Sequence, residues 1–195
     1  ASLSPADRIR YDTVKYAAGR GVEGTGFFYG SAAGGFFGGA TPYPVTQQDG
    51  AITGIPEFLN SQHPINNSAD AEAYLARIAR MAAILDDETG QIARDAARGV
   101  MPPSFIAKNA LGQLTEYRKT PVAQQTLVNS LVERTTAKDI PGDWQARATR
   151  MVEAMVYPAL DRQIAAFSKA TANAPDTAGV HRLPDGEAYY QWALR

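Results

Sequence analysis

The stretch ADAEAYLARIARMAAILDDETGQIARDAAR, residues 69–98, decides the fold class of this protein. Its side chains repeat with the three- and four-residue spacing of one α-helical face: Leu75, Ile78, Ala82, Leu85, Thr89 and Ile92. Ser68 can cap the start of this helix, and Gly99 suits the position after its end. We therefore predict one long amphipathic helix, which Gly90 can divide.

Further helices are predicted on the C-terminal side of this stretch. Pro102-Pro103 restarts the chain into a helix that ends near Tyr117, and Thr120-Pro121 restarts it into another that ends near Ala137. Asp143 can cap a long helix from Trp144 to about Ala172. Pro158 lies inside that helix and should kink it, because proline lacks the backbone donor.

Residues 1–68, on the N-terminal side of this stretch, are rich in glycine, proline and aromatic residues. Residues 4–18 predict a first helix with Ser4 as its cap and Gly19 as its end, and with three buried contacts, Ile9, Val14 and Tyr16. Ten of the 17 glycines fall between Gly19 and Gly50, which argues against a regular helix there. The pairs Phe27-Phe28 and Phe36-Phe37 favour an anchored loop or a short hairpin, and residues 44–59 can hold a short extended piece.

These patterns predict a mainly α fold, an irregular helical bundle with a Gly/Pro/aromatic-rich loop region near the N-terminus. We divide the chain into residues 1–68, the first helix with the loop region, and residues 69–195, a helical region of the same domain. The final helical stretch stops at Arg195 without a cap or a glycine. We therefore expect an incomplete portion of a larger helical fold that continues beyond Arg195.

Composition excludes several classes of function. The 195 residues carry 19 Lys+Arg and 20 Asp+Glu, so the net charge of -1 provides no general field for nucleic acid. With no Cys, the chain has no disulfide, no thiolate nucleophile and no cysteine zinc site. No stretch reaches the ~20 apolar residues of a membrane span. The absence of Cys is compatible with a cytoplasmic protein and with an exported one. In the second case, Ala1 would be the first residue after a removed signal peptide.

Two local motifs carry little weight. Residues 19–24 match G-x-G-x-x-G, but dinucleotide binding needs a strand before the glycines and a helix after them. The acidic run Asp86-Asp87-Glu88 is interpreted as a solvated helix face. The two histidines, His63 and His181, lie far apart and neither belongs to H-E-x-x-H, so no metal motif and no recognisable catalytic motif is present.

Several strings taken in order resemble one bacterial family. They are PYPVTQQDGA at 42–51, IPEFL at 55–59, QHP at 62–64, DAEAYLAR at 70–77, ARGVMPP at 97–103, YPAL at 157–160 and LPDGEAYY at 183–190. In this order and spacing the chain, from about residue 4 to Arg195, resembles the N-terminal part of the domain of unknown function 885 family.

The resemblance implies a mostly helical fold similar to the zinc carboxypeptidases of the thermostable Taq type. It also implies a zinc metallopeptidase that is often exported and sometimes a lipoprotein. The family's metal-binding stretch, of the type His-Glu-x-x-Pro-Gly-His, comes later in the sequence than any residue of this chain. The resemblance therefore implies zinc in the parent protein, none in this chain, and a chain that is inactive alone.

Four residues match family elements that a peptide substrate can contact. Gln47 belongs to a Gln-x-x-Gly element, His63 to Gln-His-Pro, and Tyr189 and Tyr190 follow Leu-Pro-x-Gly. By the resemblance these side chains line a peptide cleft and position the substrate rather than break the bond. The alternative is that they only hold the loops in place.

A second class of function stays open. The chain can be a complete, non-enzymatic, exported helical binding module, and the reading frame after Arg195 would distinguish this from a peptidase. If the chain is incomplete, the apolar faces of residues 69–98 and 144–172 should form an exposed patch or be buried in a homodimer. A nucleotide-binding enzyme that uses residues 19–24 would need a strand before Gly19.

Overall fold

The computed structural model describes residues 3–30 and 40–195, and every regular element in those ranges is helical. The helices are α1 (Pro5–Gly24), α2 (Ala51–Ser61), α3 (Ser68–Ala96), α4 (Ser104–Lys119), α5 (Thr126–Thr136), α6 (Trp144–Met151), α7 (Tyr157–Ala170) and α8 (Gly186–Ala193). Short helical turns lie at Val122–Gln124, Val152–Val156 and Val180–Arg182. The predicted mainly α fold is confirmed, while the hairpin would include Phe36 and Phe37, which lie outside the described residues.

Helix α3 is the long helix that residues 69–98 predict. Its cap is Asn67 rather than Ser68, because the Asn67 Oδ1 accepts a hydrogen bond from the Asp70 backbone N–H at 3.0 Å. Gly90 does not divide the helix, since packing of the flanking turns outweighs the ~1 kcal/mol helix penalty of glycine. The buried face comprises Tyr74, Leu75, Ile78, Met81, Leu85 and Ile92.

The main core forms where α3 lies along α7, with α2, α4, α5 and α6 packed around the pair. Its largest fully buried apolar side chains are Tyr74, Phe167, Leu59, Ile65, Ile78, Met81, Leu85, Leu114, Leu127, Leu131 and Leu160. The apolar faces of residues 69–98 and 144–172 are therefore buried against each other within one chain. They leave no exposed patch on these two helices to support the predicted homodimer, which stays a prediction.

The segment 144–172 forms one unbroken run of helical turns from Trp144 to Ala170, as predicted, but the turns widen just before Pro158. Helix α6 ends at Met151, a wider turn spans Val152–Val156, and α7 begins at Tyr157. In the wide turn the Tyr157 N–H donates to the Val152 carbonyl, five residues back, which is the pattern of a π-turn. Pro158 follows directly, and the wide turn accommodates the backbone donor that proline lacks. The predicted cap is also wrong, since the Asp143 side chain makes no capping hydrogen bond.

Helix α1 corrects two predictions. It continues past Gly19 to Gly24, so the glycine-rich stretch starts as a helix. Ser4 caps it as predicted, but the expected buried contacts are wrong: Ile9, Val14 and Tyr16 are 69%, 68% and 57% exposed. The reason is the position of α1, which packs mainly against the short helix α8 and lies outside both apolar cores.

Helix α2 replaces the extended piece predicted within residues 44–59. Gly50, at a φ of 122°, turns the chain into the helix, and the Glu88 Oε1 accepts a hydrogen bond from the Ala51 N–H at 2.7 Å. Ile52 and Leu59 then join the main core. Burial of this face outweighs the cost of Pro56 inside the helix. Among the described residues, no helix combines the length and the hydropathy needed to cross a bilayer.

Candidate functional site

Aromatic side chains from three segments meet beside the C-terminal end of α3. This aromatic cluster consists of Phe27, Tyr29, Tyr43, Tyr189 and Trp192. The first two follow α1, Tyr43 lies in the loop before α2, and the last two lie on α8. The cluster thus joins the glycine-rich N-terminal region to the last helix of the chain.

The rings pack in the geometries that aromatic quadrupoles favour. Tyr189 is central: its ring centroid lies 5.1 Å from Phe27 edge-on, 5.2 Å from Tyr29 in a stacked arrangement, and 5.3 Å from Trp192. Tyr29 and Tyr189 are each only 3% exposed. The cluster is therefore a second, small core rather than an open cleft.

Two glycines let the segments approach so closely. Gly30 has a φ of 79°, and a Cβ there would lie 3.0 Å from the Tyr189 hydroxyl and 2.8 Å from the Thr41 carbonyl oxygen. Gly186 begins α8, and a Cβ there would lie 1.9 Å from the Val180 carbonyl oxygen. Gly30 therefore allows the close approach of the segment after α1 to Tyr189, and Gly186 allows α8 to pack on the turn Val180–Arg182.

Arg182 is a charged group that contacts the cluster. Its Nη2 donates to the Tyr43 hydroxyl at 3.0 Å and to the Met101 carbonyl. The Tyr29 hydroxyl donates to the Pro184 carbonyl at 2.7 Å. The Arg182 Nε and the Tyr189 hydroxyl are buried without a hydrogen-bond partner among the described residues. Such unsatisfied groups are costly in a fold and are candidate contact points for a ligand or water.

Burial keeps the tyrosines of the cluster neutral. It raises the pKa of Tyr43, an effect that the charge and hydrogen bond of Arg182 partly offset. The pKa of Tyr189 is also raised by burial, with further contributions from Tyr29 and Tyr43. The hydroxyls therefore act as hydrogen-bond groups near pH 7 and not as acids or bases.

The predicted contact residue Gln47 lies in the loop that precedes α2. The loop is held by a tight turn in which the Thr46 Oγ1 donates to the Asp49 Oδ2 at 3.0 Å and accepts from the Asp49 N–H at 3.0 Å. Gln47 is half-buried, and its Oε1 has no hydrogen-bond partner among the described residues. A side-chain amide in this state can accept a hydrogen bond from a ligand.

Tyr189 and Tyr190 are adjacent but face opposite ways. Tyr189 is buried in the aromatic cluster, whereas Tyr190 is 48% exposed on the outer face of α8. Only Tyr190 can therefore offer its ring to a substrate, while Tyr189 fixes the position of the helix. The packing of α8 decides that Tyr189 is buried and Tyr190 is exposed. The adjacent tyrosines in the sequence do not by themselves show this.

His63 has the environment of a structural residue. Its Nε2 lies 2.9 Å from the Asp70 carbonyl oxygen, its ring packs edge-on against Tyr74 at 5.3 Å, and it is 4% exposed. Arg134 donates to the His63 carbonyl and to the Leu59 carbonyl. These contacts hold the turn between α2 and α3.

The structure does not bring the four predicted residues into one site. His63 contacts the first turn of α3 at Asp70, and the loop residue Tyr43 lies beside the last turn at Asp95. At 1.5 Å of rise per residue, these turns are about 37 Å apart along the helix. Gln47, Tyr189 and Tyr190 belong to the half of the molecule near the aromatic cluster, and His63 belongs to the other half.

Glu88 is a notable residue that the sequence interpretation missed. The run Asp86-Asp87-Glu88 is not uniformly solvated: Asp86 pairs with Arg162 and Asp87 is exposed, but Glu88 turns inward. Its carboxylate accepts hydrogen bonds from Ala51 N–H and from the Gln163 Nε2 at 2.8 Å. Burial raises its pKa to about 7 despite both bonds. Its three-residue spacing from Leu85 on the buried face was the signal for this orientation.

The weak nucleotide motif does not have the required context. Gly19, Gly21 and Gly24 lie in the last turns of α1, so a helix precedes and contains them where a strand is needed. The structure therefore argues against nucleotide binding by residues 19–24.

The residues present do not fit a zinc site. Within 3–30 and 40–195, no three His, Asp or Glu side chains are grouped closely enough to hold a metal ion. His63 is committed to the turn before α3, and His181 lies in the separate turn Val180–Arg182. No step of chemistry is assigned to zinc in this chain.

The described residues place this chain in the class of all-helical proteins. Comparison of its sequence with protein families then identifies the family. The chain belongs to the family described as bacterial protein of unknown function (DUF885), whose profile matches residues 1–195. It is similar to a crystal structure described as "the putative lipoprotein from Colwellia psychrerythraea", with a TM-score of 0.77 and 22% identity over 85% of this chain and 29% of that chain. This likeness shows a shared fold, and this chain spans less than a third of that neighbour. No curated protein matches in sequence.

Proposed function

We propose that this chain is the N-terminal helical part of a zinc-dependent peptidase and that it positions the peptide rather than cleaves it. The chain belongs to the family over residues 1–195, and the resemblance described in the sequence analysis implies a likeness to Taq-type zinc carboxypeptidases, which supports the proposal. The observation that carries it is the extent of the structural match: 85% of this chain aligns with only 29% of its neighbour. A much larger part of such a protein is available to hold the metal site.

In such an enzyme, zinc polarises the peptide carbonyl and activates water, with a glutamate as general base. Among the described residues no three His, Asp or Glu side chains are grouped closely enough to hold such an ion. Their contribution is to bind and orient the peptide, which can account for a large part of a rate enhancement. We assign this role to Gln47, which is half-buried with an Oε1 that has no partner among the described residues, and to Tyr190, which is 48% exposed.

The aromatic cluster makes Tyr190 a well-positioned contact. Tyr190 follows Tyr189, whose ring is enclosed by Phe27, Tyr29 and Trp192. A binding side chain on a short helix needs this kind of support, because an eight-residue helix is marginal alone. His63 is left out of the proposed contact set because it is buried in the other half of the molecule.

The test uses the full-length protein that contains this chain and a fluorogenic peptide library. We expect hydrolysis that a chelator abolishes and zinc restores, while residues 1–195 alone are inactive. Tyr190→Ala should raise KM several-fold with little change in kcat, because it removes binding without removing catalytic groups. Tyr11→Ala is the matched control, since Tyr11 is 52% exposed on α1 and should leave both constants unchanged.

Two results would contradict the proposal. Hydrolysis by residues 1–195 alone would place the catalytic groups in this chain. A full-length protein that binds peptide without cleaving it, with or without zinc, would favour the non-enzymatic binding module instead.

We further propose that the parent protein is exported. The structural neighbour is described as "the putative lipoprotein from Colwellia psychrerythraea", and the family resemblance points the same way. Fractionation of the native host should recover the protein in the periplasmic or membrane fraction. Recovery in the cytoplasmic fraction alone would contradict this.

A further inference from the structure

Helix α1 presents an apolar stripe on its outer face. The stripe consists of Tyr11, Val14, Ala18 and Val22, which follow one another at spacings of three, four and four residues. At 3.6 residues per turn this spacing keeps the side chains on one face over about three turns. Tyr11, Val14 and Val22 are 52%, 68% and 71% exposed, and Ala18 is exposed as well. Such a pattern is typical of a helix that packs on a neighbour along this face.

The contact between α1 and α8 uses the other side of the helix. The Tyr16 hydroxyl donates to the Arg195 carbonyl, and the Arg20 guanidinium donates to the Trp192 carbonyl. The Trp192 Nε1 donates in turn to the Arg20 carbonyl at 2.9 Å, and Gly24, one turn further, is buried. Tyr16, Arg20 and Gly24 lie about 165° around the helix from the stripe. Helix α8 therefore covers one side of α1 and leaves the stripe on the opposite side.

The composition of α1 gives it a need for further packing. It has 20 residues, of which Gly24 is the one that is buried. Gly19 and Gly21 lie in its interior, and each costs about 1 kcal/mol of helix propensity relative to alanine. Helices in proteins are stabilised mainly by burial of an apolar face rather than by propensity. The stripe is the face of α1 whose burial would provide this stabilisation.

The parent protein has enough additional chain to cover the stripe. This chain matches only 29% of its structural neighbour, so most of such a protein lies outside the match. Under the proposed function the parent chain continues beyond Arg195, whose carbonyl contacts Tyr16 within the span of the stripe. Half the circumference of a helix about 10 Å across is about 16 Å, which about five extended residues span. A short connection therefore brings the continuing chain to the stripe at a high effective concentration.

We propose that a helix from the part of the parent chain that follows Arg195 packs on the stripe of α1. A helix suits the three- and four-residue spacing, and every regular element of the described residues is helical. Helix α1 then lies between α8 and the rest of the parent protein and joins the two parts. The proposal rests on the proposed function for the continuation of the chain. The contact stabilises the protein and touches no substrate, so a change at Tyr11 should affect stability and leave KM and kcat unchanged.

Photocrosslinking of the full-length protein that contains this chain identifies the occupant of the stripe. Val14→p-benzoylphenylalanine should give, on irradiation, a crosslink within one chain to a residue beyond 195, which mass spectrometry of the digested protein locates. Asp12→p-benzoylphenylalanine is the matched control, because Asp12 is exposed on the same helix about 115° from the stripe. Its crosslink yield should be several-fold lower.

Hydrogen exchange provides a second measurement on the natural sequence. Backbone amides of α1 should exchange with solvent roughly tenfold or more slowly in the full-length protein than in residues 1–195, because local protection follows buried apolar contact. Equally fast exchange in the two proteins would overturn the proposal even if the Val14 variant fails to fold.

The other crosslinking outcomes also overturn the proposal. A crosslink between two chains would assign the stripe to a second copy, and a crosslink to another residue of 1–195 would assign it to this part of the chain. No crosslink from a folded Val14 variant would mean that the stripe faces solvent. Peptide hydrolysis with an uncovered α1 would leave the proposed function standing, whereas a covered α1 in a protein without hydrolysis would overturn the proposed function alone.

Discussion

At the scale of single residues, this protein buries several polar groups wholly or largely. Glu88, Asp95, Gln163 and Tyr189 all have buried oxygens, and the last three each have one without a partner among the described residues. A marginally stable fold tolerates few such groups, because each costs about 1–3 kcal/mol. Conservative substitutions of these residues should therefore change the unfolding free energy by measurable amounts.

Glu88 should make stability depend on pH. Its folded pKa of about 7 exceeds the ordinary value of 4.5, so the folded chain binds the proton more tightly than the unfolded chain. The unfolding free energy therefore falls as the pH rises between these two values. Glu88→Gln should remove this slope and raise the unfolding free energy at about pH 8 by roughly 1–3 kcal/mol, with less effect at about pH 5.

Urea denaturation of the Glu88→Gln variant at the two pH values provides the measurement. Asp87→Asn is the control, because Asp87 is exposed and should not change the slope. A Glu88→Gln variant that keeps the pH dependence of the natural chain would show that Glu88 is not the titrating group.

The two stacked tyrosines should respond differently to loss of the hydroxyl. Tyr189→Phe removes a buried, unpartnered hydroxyl, so the unfolding free energy should stay the same or rise slightly. Tyr29→Phe removes the hydrogen bond to the Pro184 carbonyl. The unfolding free energy of this variant should fall by about 0.5–1.5 kcal/mol. Thermal or urea unfolding of both variants checks this. A clear loss in Tyr189→Phe would mean that its hydroxyl has a partner.

At the scale of elements, the close approach of α8 depends on Gly186. A Cβ at this residue would lie 1.9 Å from a backbone oxygen, which cannot move aside as a side chain can. Gly186→Ala should therefore displace α8 and destabilise the aromatic cluster by more than 2 kcal/mol, roughly the cost of overpacking. Trp192 fluorescence and near-UV circular dichroism should report the change.

Gly112 in α4 is the matched control for Gly186. Nothing lies within 4 Å of a Cβ built at Gly112, so Gly112→Ala should stabilise the chain by about 0.5–1 kcal/mol through helix propensity. If both glycines tolerate alanine equally, the packing of α8 on the turn Val180–Arg182 is not as described.

Helix α1 should open more readily than α3. Its apolar residues Ile9, Val14 and Val22 are about 70% exposed, whereas α3 is surrounded by the main core. Local stability follows buried apolar contact, so backbone amides of α1 should exchange with solvent much faster than those of α3. Hydrogen exchange followed by mass spectrometry measures this directly. Equal protection of the two helices would indicate that α1 is covered in solution.

The elements also show what sequence could and could not predict. Helix α3 was predictable because Leu75, Ile78 and Leu85 repeat along one face. Helix α2 was missed because Gly50 and Pro56 are poor helix residues, and only its packing onto α3 and the bond from Glu88 outweigh that local preference. The site was less predictable, since burial of Tyr189 and exposure of Tyr190 depend on how α8 docks.

At the scale of the whole molecule, the described residues form a helical core with a second, aromatic core beside it, and they contain no grouped metal ligands. The chain belongs to the DUF885 family and shares its fold with 29% of a larger neighbour. We propose that residues 1–195 hold the substrate while the rest of the parent protein holds the zinc.

Metal content is the most direct test of that claim. The full-length protein and residues 1–195 should be purified in parallel, dialysed against trace zinc, and analysed by inductively coupled plasma mass spectrometry. The account predicts tightly bound zinc in stoichiometric amount in the full-length protein and none in residues 1–195. Stoichiometric zinc in residues 1–195, or its absence from the full-length protein, would contradict the account.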